Sequence, residues 1–220
     1  MALVKTGQGF YSGTPGNSDI IFNFNQIGGG DEFLMALVMF RNATATNIPT
    51  YDGVSMTSLF QWNSGGFFVT AFGLLNPASG INQFRLNISN QWNPATVAVT
   101  SFAGSSGFGV SNQNTSLGTN NSTTLTGLTT GSMIQGYGTS LSTTSAANIQ
   151  IPTGTIVSPR DWRTNAGVFW GATSPVLSVA SSTVRAYGGA SWTSSRSGGI
   201  EIKASGSTPP PTRRRRIITY

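Results

Sequence analysis

The segment Phe33-Leu34-Met35-Ala36-Leu37-Val38-Met39-Phe40 decides the reading of this chain. It is eight residues without a polar interruption. A strand with one wet face alternates polar and apolar residues, whereas a strand covered on both faces reads as a continuous apolar run. Residues 33–40 are too few to cross a bilayer, so they are expected to form a central strand buried on both sides. The neighbouring segments agree. Residues 20–25 open the strand pattern and Gly28-Gly29-Gly30 turns the chain. Tyr51-Asp52-Gly53-Val54 is a hairpin signal, because Asp-Gly accepts the positive φ angles of a tight two-residue turn. Residues 67–75 form a second long apolar stretch, ended by Asn76-Pro77 and Ser79-Gly80. Phe84, Leu86 and Ile88 alternate with Arg85 and Asn87, the period-2 pattern of a half-covered strand, and Val97, Val99 and Phe102 continue it.

Further strands are expected at 123–128, 133–139, 149–151, 167–170, 176–180, 184–187 and 199–203, with residues 111–124 as a polar surface loop. No ten-residue stretch carries a helical apolar stripe, and no internal repeat is convincing. Composition agrees. Gly, Ser and Thr occur 28 times each and Asn 17 times, while charged residues are 8% of the chain, against roughly 25% in ordinary globular domains. With 38% hydrophobic residues and 13 Phe, a core can still form. The expected fold is all-β, an antiparallel β-sandwich of jelly-roll character with an extended C-terminal arm. The expected division is an N-terminal arm over 1–18, a sandwich domain over 19–204 and a Pro/Arg-rich arm over 205–220.

Several of these phrases resemble jelly-roll-like β-sandwich structural proteins of tailed phages and related surface-displayed proteins. They are FLMALVMFR (33–41), YDGVSMT (51–57), FGLLNPASG (72–80), VTSFAG (99–104), WGATSPV (170–176) and GIEIK (199–203). The resemblance spans roughly residues 20–204 and carries no catalytic signature. It implies a sandwich displayed on a surface, and it does not extend to the arginine-rich segment.

The chemistry available is narrow. The chain has no His and no Cys, which removes the usual Ser-His and Cys-His nucleophile pairs and His- or thiolate-ligated metal sites. A glycosidase needs two positioned carboxylates, and the acids are Asp19, Asp31, Glu32, Asp52, Asp161 and Glu201. Each of the last five has a plainer role. Asp52 belongs to the turn, Asp161 pairs with Arg160 or Arg163, Asp31 and Glu32 charge a strand start, and Glu201 points outward between Ile200 and Ile202. No calcium loop of the D-x-D-x-D-G kind is present, and no cofactor or metal is implied. The expectation is a protein that is not an enzyme.

Two groups of residues remain as candidate binding elements. Trp62, Trp92 and Trp192 are flanked by polar residues, which suggests loop edges where an indole face could stack on a sugar ring; Trp170 reads as core. The second group is the segment Pro209, Pro210, Pro211, Arg213, Arg214, Arg215, Arg216, Ile217, Ile218 and Tyr220. Three prolines favour polyproline II geometry. The four arginines supply most of the +6 net charge, leaving a nearly neutral body with no broad basic face. Such a segment can be solvated, can neutralise nucleic-acid phosphates, or can dock onto a neighbouring protein with Ile217, Ile218 and Tyr220 as apolar anchors. Docking onto protein is the preferred reading. The expected role is therefore a non-enzymatic virion component: a capsid decoration, head-fibre or tail-associated protein. Its partners would be other virion proteins and copies of itself, a trimer by preference, without membrane contact. Nucleic acid is the less favoured partner for Arg213 to Arg216. The alternative is a carbohydrate-binding adhesin module for a host or environmental glycan.

Overall fold

The computed structural model describes residues 2–13, 19–27, 32–41, 47–64, 67–87, 95–118, 120–140, 148–151, 162–163, 168–187 and 195–206. All regular structure among them is β, in four antiparallel sheets. Nine strands come from the first half of the chain: β1 (Val4–Gly13), β2 (Ile20–Gln26), β3 (Glu32–Arg41), β4 (Thr50–Tyr51), β5 (Val54–Ser55), β6 (Thr57–Ser64), β7 (Phe67–Leu75), β8 (Gly80–Leu86) and β9 (Ala95–Ala103). They form one sheet in the order β1-β9-β3-β7-β6 and a second in the order β2-β8-β4-β5. The pairs are nested, β1 with β9, β2 with β8 and β3 with β7. This is an antiparallel ribbon wound around a barrel axis, the jelly-roll topology.

The second half repeats it. Its strands are β10 (Ser105–Gly118), β11 (Asn120–Thr126), β12 (Met133–Ser140), β13 (Asn148–Gln150), β14 (Trp162–Arg163), β15 (Val168–Thr173), β16 (Ser181–Tyr187) and β17 (Ser195–Ala204). The sheet orders are β10-β17-β12-β15-β14 and β11-β16-β13, with the nested pairs β10–β17, β11–β16 and β12–β15. The chain is thus two jelly rolls in tandem rather than one sandwich over 19–204, and only Gly104 separates β9 from β10. The expectation of no internal repeat is corrected by this topology. Its traces recur at a spacing of 100 residues: Thr6-Gly7-Gln8-Gly9 against Ser106-Gly107-Phe108-Gly109, Trp62 against Trp162, Phe84-Arg85 against Val184-Arg185, and Trp92 against Trp192. The ladder irregularity before Gly7 also has its counterpart before Gly107.

Three cores stack the four sheets in one pile. Between the two sheets of the first roll lie Leu34, Ala36, Val38 and Phe40 of β3 against Phe24, Tyr51 and Phe84. The opposite face of β3, Phe33, Met35, Leu37 and Met39, packs on Tyr137, Ile200 and Ile202 of the second roll. Leu125 and Val184 then close over Ile134 and Ala172. Residues 33–40 are therefore covered on both faces, as their unbroken apolarity requires. Strand β9 is covered on both faces too, a feature its sequence hides because Thr96, Ala98 and Thr100 occupy the second face.

The Asp-Gly hairpin forms as read: β4 pairs with β5, and Asp52 and Gly53 take φ of 50° and 75°, both positive as a type I′ turn demands. Three expectations are corrected. Residues 1–18 are not simply an arm, since residues 4–13 form edge strand β1 on β9. The glycines that mimic a lead-in are there for space, because a Cβ on Gly9 would come within 3.0 Å of the Phe24 ring. Residues 111–124 are not a loop: β10 runs to Gly118 and β11 starts at Asn120, in different sheets, and Ser111, Asn112, Ser122 and Thr124 face water. Residues 176–180 form no strand, and β16 begins at Ser181.

Candidate functional site

The acids come first, because a reactive pair would outrank any other site. Glu201 is not outward. The period-2 reading correctly sets it opposite Ile200 and Ile202, but that opposite face is roofed by the β11-β16-β13 sheet and the side chain is fully buried. Its carboxylate accepts the backbone N–H of Val110 at 3.0 Å and of Thr129 at 2.5 Å. Gly109 leaves room for it, as a Cβ there would collide with the carboxylate. Glu32 is buried at the start of β3 and accepts a hydrogen bond from Gln26 Nε2 at 2.7 Å. Asp19 pairs with Arg85 at 2.6 Å, and Asp52 stays in its turn. Asp19 and Asp52 lie at strand ends of the β2-β8-β4-β5 sheet, Glu32 in β3 and Glu201 in β17, each on its own structural task. Asp31 and Asp161 with its expected partner Arg160 lie outside the described residues, as does the side chain of Arg163. Among the described residues no three acidic side chains gather as metal ligands, and no helix is long and apolar enough to cross a membrane.

Trp62 is placed away from the loop edge expected for it. It lies in β6 with 5% of its surface exposed, and the Arg196 guanidinium carbon sits 5.4 Å from its ring centroid, a cation–π contact across the interface between the rolls. No open indole face remains there for a sugar. Trp92, Trp192 and all of the segment from Pro209 to Tyr220 lie outside the described residues, as does the Trp170 side chain.

What the fold does create is a furrow at the seam between the rolls. Among the described residues, strand β6 is the outer strand of its sheet and pairs with β7, while β10 is the outer strand of the facing sheet. Side by side, they border two openings. The larger is an apolar groove of about 400 Å³. Phe33, Leu59 and Leu75 line one wall and Phe108 the other, with the rings of Phe33 and Phe108 stacked at 6.5 Å. Two glycines shape it: a Cβ on Gly73 would strike the Phe33 ring, and Gly107 adopts φ 115° beside Leu75. Leu75 and Phe108 remain 55% and 42% exposed, so the groove presents apolar surface to water, a feature typical of interaction sites. Its rim is also where the described chain departs. Ser106 Oγ donates to Ala204 O at 3.1 Å, and Ser205 N donates to Gly104 O at 2.7 Å. Residues 205 and 206 thus sit against the groove's own strand.

The smaller opening, about 150 Å³, is bordered by Phe60, Gln61, Ser111, Asn112, Gln113 and Tyr137. Phe60 and Tyr137 stack at 5.9 Å, and the Tyr137 hydroxyl donates to Gln113 Oε1 at 3.2 Å. Burial drives the Tyr137 phenol far above its ordinary pKa, so it stays neutral and serves as a donor. Neither opening was legible in the sequence. The signal was the recurrent Gly-x-Gly at 7–9 and 107–109, which marks where strands β1 and β10 admit a close neighbour.

No family model, no curated protein and no solved structure matches this chain. The likeness to phage sandwich proteins rests on the strand and turn phrases alone.

Proposed function

We propose that this chain is a non-enzymatic structural component of a tailed-phage-like virion, a capsid decoration, head-fibre or tail-associated protein that works by binding other subunits. The observation that carries the reading is the open apolar groove between β6 and β10, bordered by two strand edges that have no second ladder partner among the described residues. Natural sheet proteins protect such edges unless another chain covers them. The thinly charged Ser/Thr/Asn surface suits a building block that packs side by side. The test is add-back. Particles produced without this chain should lack a defined layer or appendage, and purified chain should restore it at saturating stoichiometry. Particles of unchanged composition that fail to bind the added chain would remove the proposal.

The smaller opening favours a second reading, a carbohydrate-binding module. The exposed Gln61 amide offers the paired donor and acceptor that sugar hydroxyls use, beside the half-buried Phe60 ring, and Asn112, whose amide donates to Thr124 O and accepts from Gln113 N, holds the opposite side in place. Glycan-array binding that disappears in Gln61→Ala and Asn112→Ala would support it, and binding unchanged by both would dispose of it.

A further inference from the structure

We infer that the apolar groove of one copy takes the Ile217-Ile218-Thr219-Tyr220 segment of a second copy, so that the chain assembles by exchange of its 207–220 segments. The inference rests on the reading of the protein as an assembly subunit and names what covers its open groove.

Three observations converge. The first is position. The described fold ends at Gly206, hydrogen-bonded through Ala204 and Ser205 to the Gly104–Ser106 stretch that forms the groove rim. Every copy therefore launches its remaining 14 residues from the edge of its own groove. The second is composition. Residues 217–220 are two isoleucines, a threonine and a tyrosine. In an extended conformation alternate side chains share a face, which sets Ile218 and Tyr220 together toward a groove lined by Leu59, Leu75, Phe33 and Phe108. The free edge of β6 runs alongside, available for main-chain pairing with an added strand.

The third is stiffness, which decides between the groove of the same copy and that of a neighbour. To return to its own groove the segment must turn back within residues 207–216, which hold three prolines and four arginines. By composition, three successive prolines favour polyproline II geometry and four successive like charges disfavour a compact chain. Ile217 lies 11 residues beyond Gly206, a reach on the order of 35 Å at about 3.3 Å per residue. A body of this size has a radius of gyration of about 17 Å, so the segment can span to a neighbour. Charge sets a limit on the partner as well. Of the four acids placed by the structure, Glu32 and Glu201 are buried, Asp19 is paired with Arg85 and Asp52 is exposed in the β4–β5 turn, so the described residues offer few carboxylates to hold Arg213 to Arg216. The apolar residues, not the arginines, supply the attachment.

The experiment is complementation followed by sedimentation equilibrium. The full chain should associate, and both a chain ending at Arg216 and the groove variant Leu75→Asp should sediment as monomers. Leu75 is more than half exposed, so its replacement leaves the cores alone. Mixing the two monomers should form a one-to-one complex, because one brings the segment and the other the groove. Ile218→Ser in the segment donor should weaken that complex about tenfold or more. A full chain that is monomeric, an oligomer that survives both changes, or a mixture that stays unassociated would overturn the inference. Monomers whose grooves bind an apolar dye only after removal of 217–220 would instead show the segment folding back on its own copy, which also overturns it. Add-back to particles reads out separately. A chain that decorates particles yet fails complementation sinks the exchange and spares the virion role, and the reverse outcome sinks the virion role alone.

Discussion

Glu201 shows how far a single residue can be read and where the reading stops. Alternation with Ile200 and Ile202 gives its face correctly, but only the second roll's outer sheet reveals that the face is dry. A buried carboxylate survives there because two backbone N–H groups point at it. Glu201→Gln replaces one accepting oxygen with an NH₂ that confronts a donor. It should lower stability by about 2–3 kcal/mol, measured as the urea midpoint at neutral pH. An unchanged midpoint would mean the carboxylate's two bonds contribute nothing. Tyr137 carries a pH prediction. Burial raises its folded pKa, so the folded phenol keeps its proton while the unfolded chain releases it above about pH 10. The unfolded state then binds fewer protons, and stability, complete below pH 10, falls as pH rises beyond it. Tyr51, raised chiefly by burial, adds to the same slope. Urea midpoints from pH 9 to 11 should fall for the native chain and fall less steeply for Tyr137→Phe; equal slopes would contradict the assignment. The placement of Tyr137 was not legible in sequence, since its ring lies over Gly198, 61 residues away, where a Cβ would collide with it.

At the scale of elements, strands whose apolar pattern is continuous or strictly alternating were legible: β3, β7, β8 and the β4–β5 hairpin. Those that escaped did so for a physical reason. Strand β1 carries Gly7 and Gly9 in place of apolar side chains because Phe22 and Phe24 cross close to it. The arms of β10 and β11 are polar because one face meets water. Trp62 was misplaced because its neighbours Gln61 and Asn63 suggested a loop, whereas in an edge strand every second residue is wet. The layered order predicts a hierarchy of protection. Amides of β3, β9 and β17, central strands of the two facing sheets, should exchange with deuterium slowest, and those along the free edges of β6 and β10 fastest. If β6 were protected as strongly as β3 in a monomeric preparation, its edge would have a partner within the chain and the furrow would not be open.

At the scale of the whole molecule, the duplication matters most, and it was the least legible feature. Jelly-roll winding pairs residues far apart in the chain, so two rolls can share topology while sharing few side chains. The 100-residue recurrences fall on Gly-x-Gly, Trp and Arg positions. The rolls are not independent. Each presents an apolar sheet face to the other, with Met35, Leu37, Val69 and Phe102 on one side and Tyr137, Ile200 and Ile202 on the other. A fragment of residues 1–104 should therefore self-associate or precipitate, and mixing it with residues 105–220 should restore a soluble one-to-one complex. A fragment that stays monomeric with the full chain's denaturation midpoint would show that the shared core is dispensable. The proposed assembly role rests on the four-layer stack and on the apolar groove open at its seam.

The most direct measurement of that claim is the number of copies per particle, by quantitative mass spectrometry of gradient-purified virions. The account predicts many copies, in a ratio to the major shell or tail protein that stays fixed between preparations. Trace amounts that vary from one preparation to the next, with the bulk of the chain left as free monomer in the lysate, would contradict it.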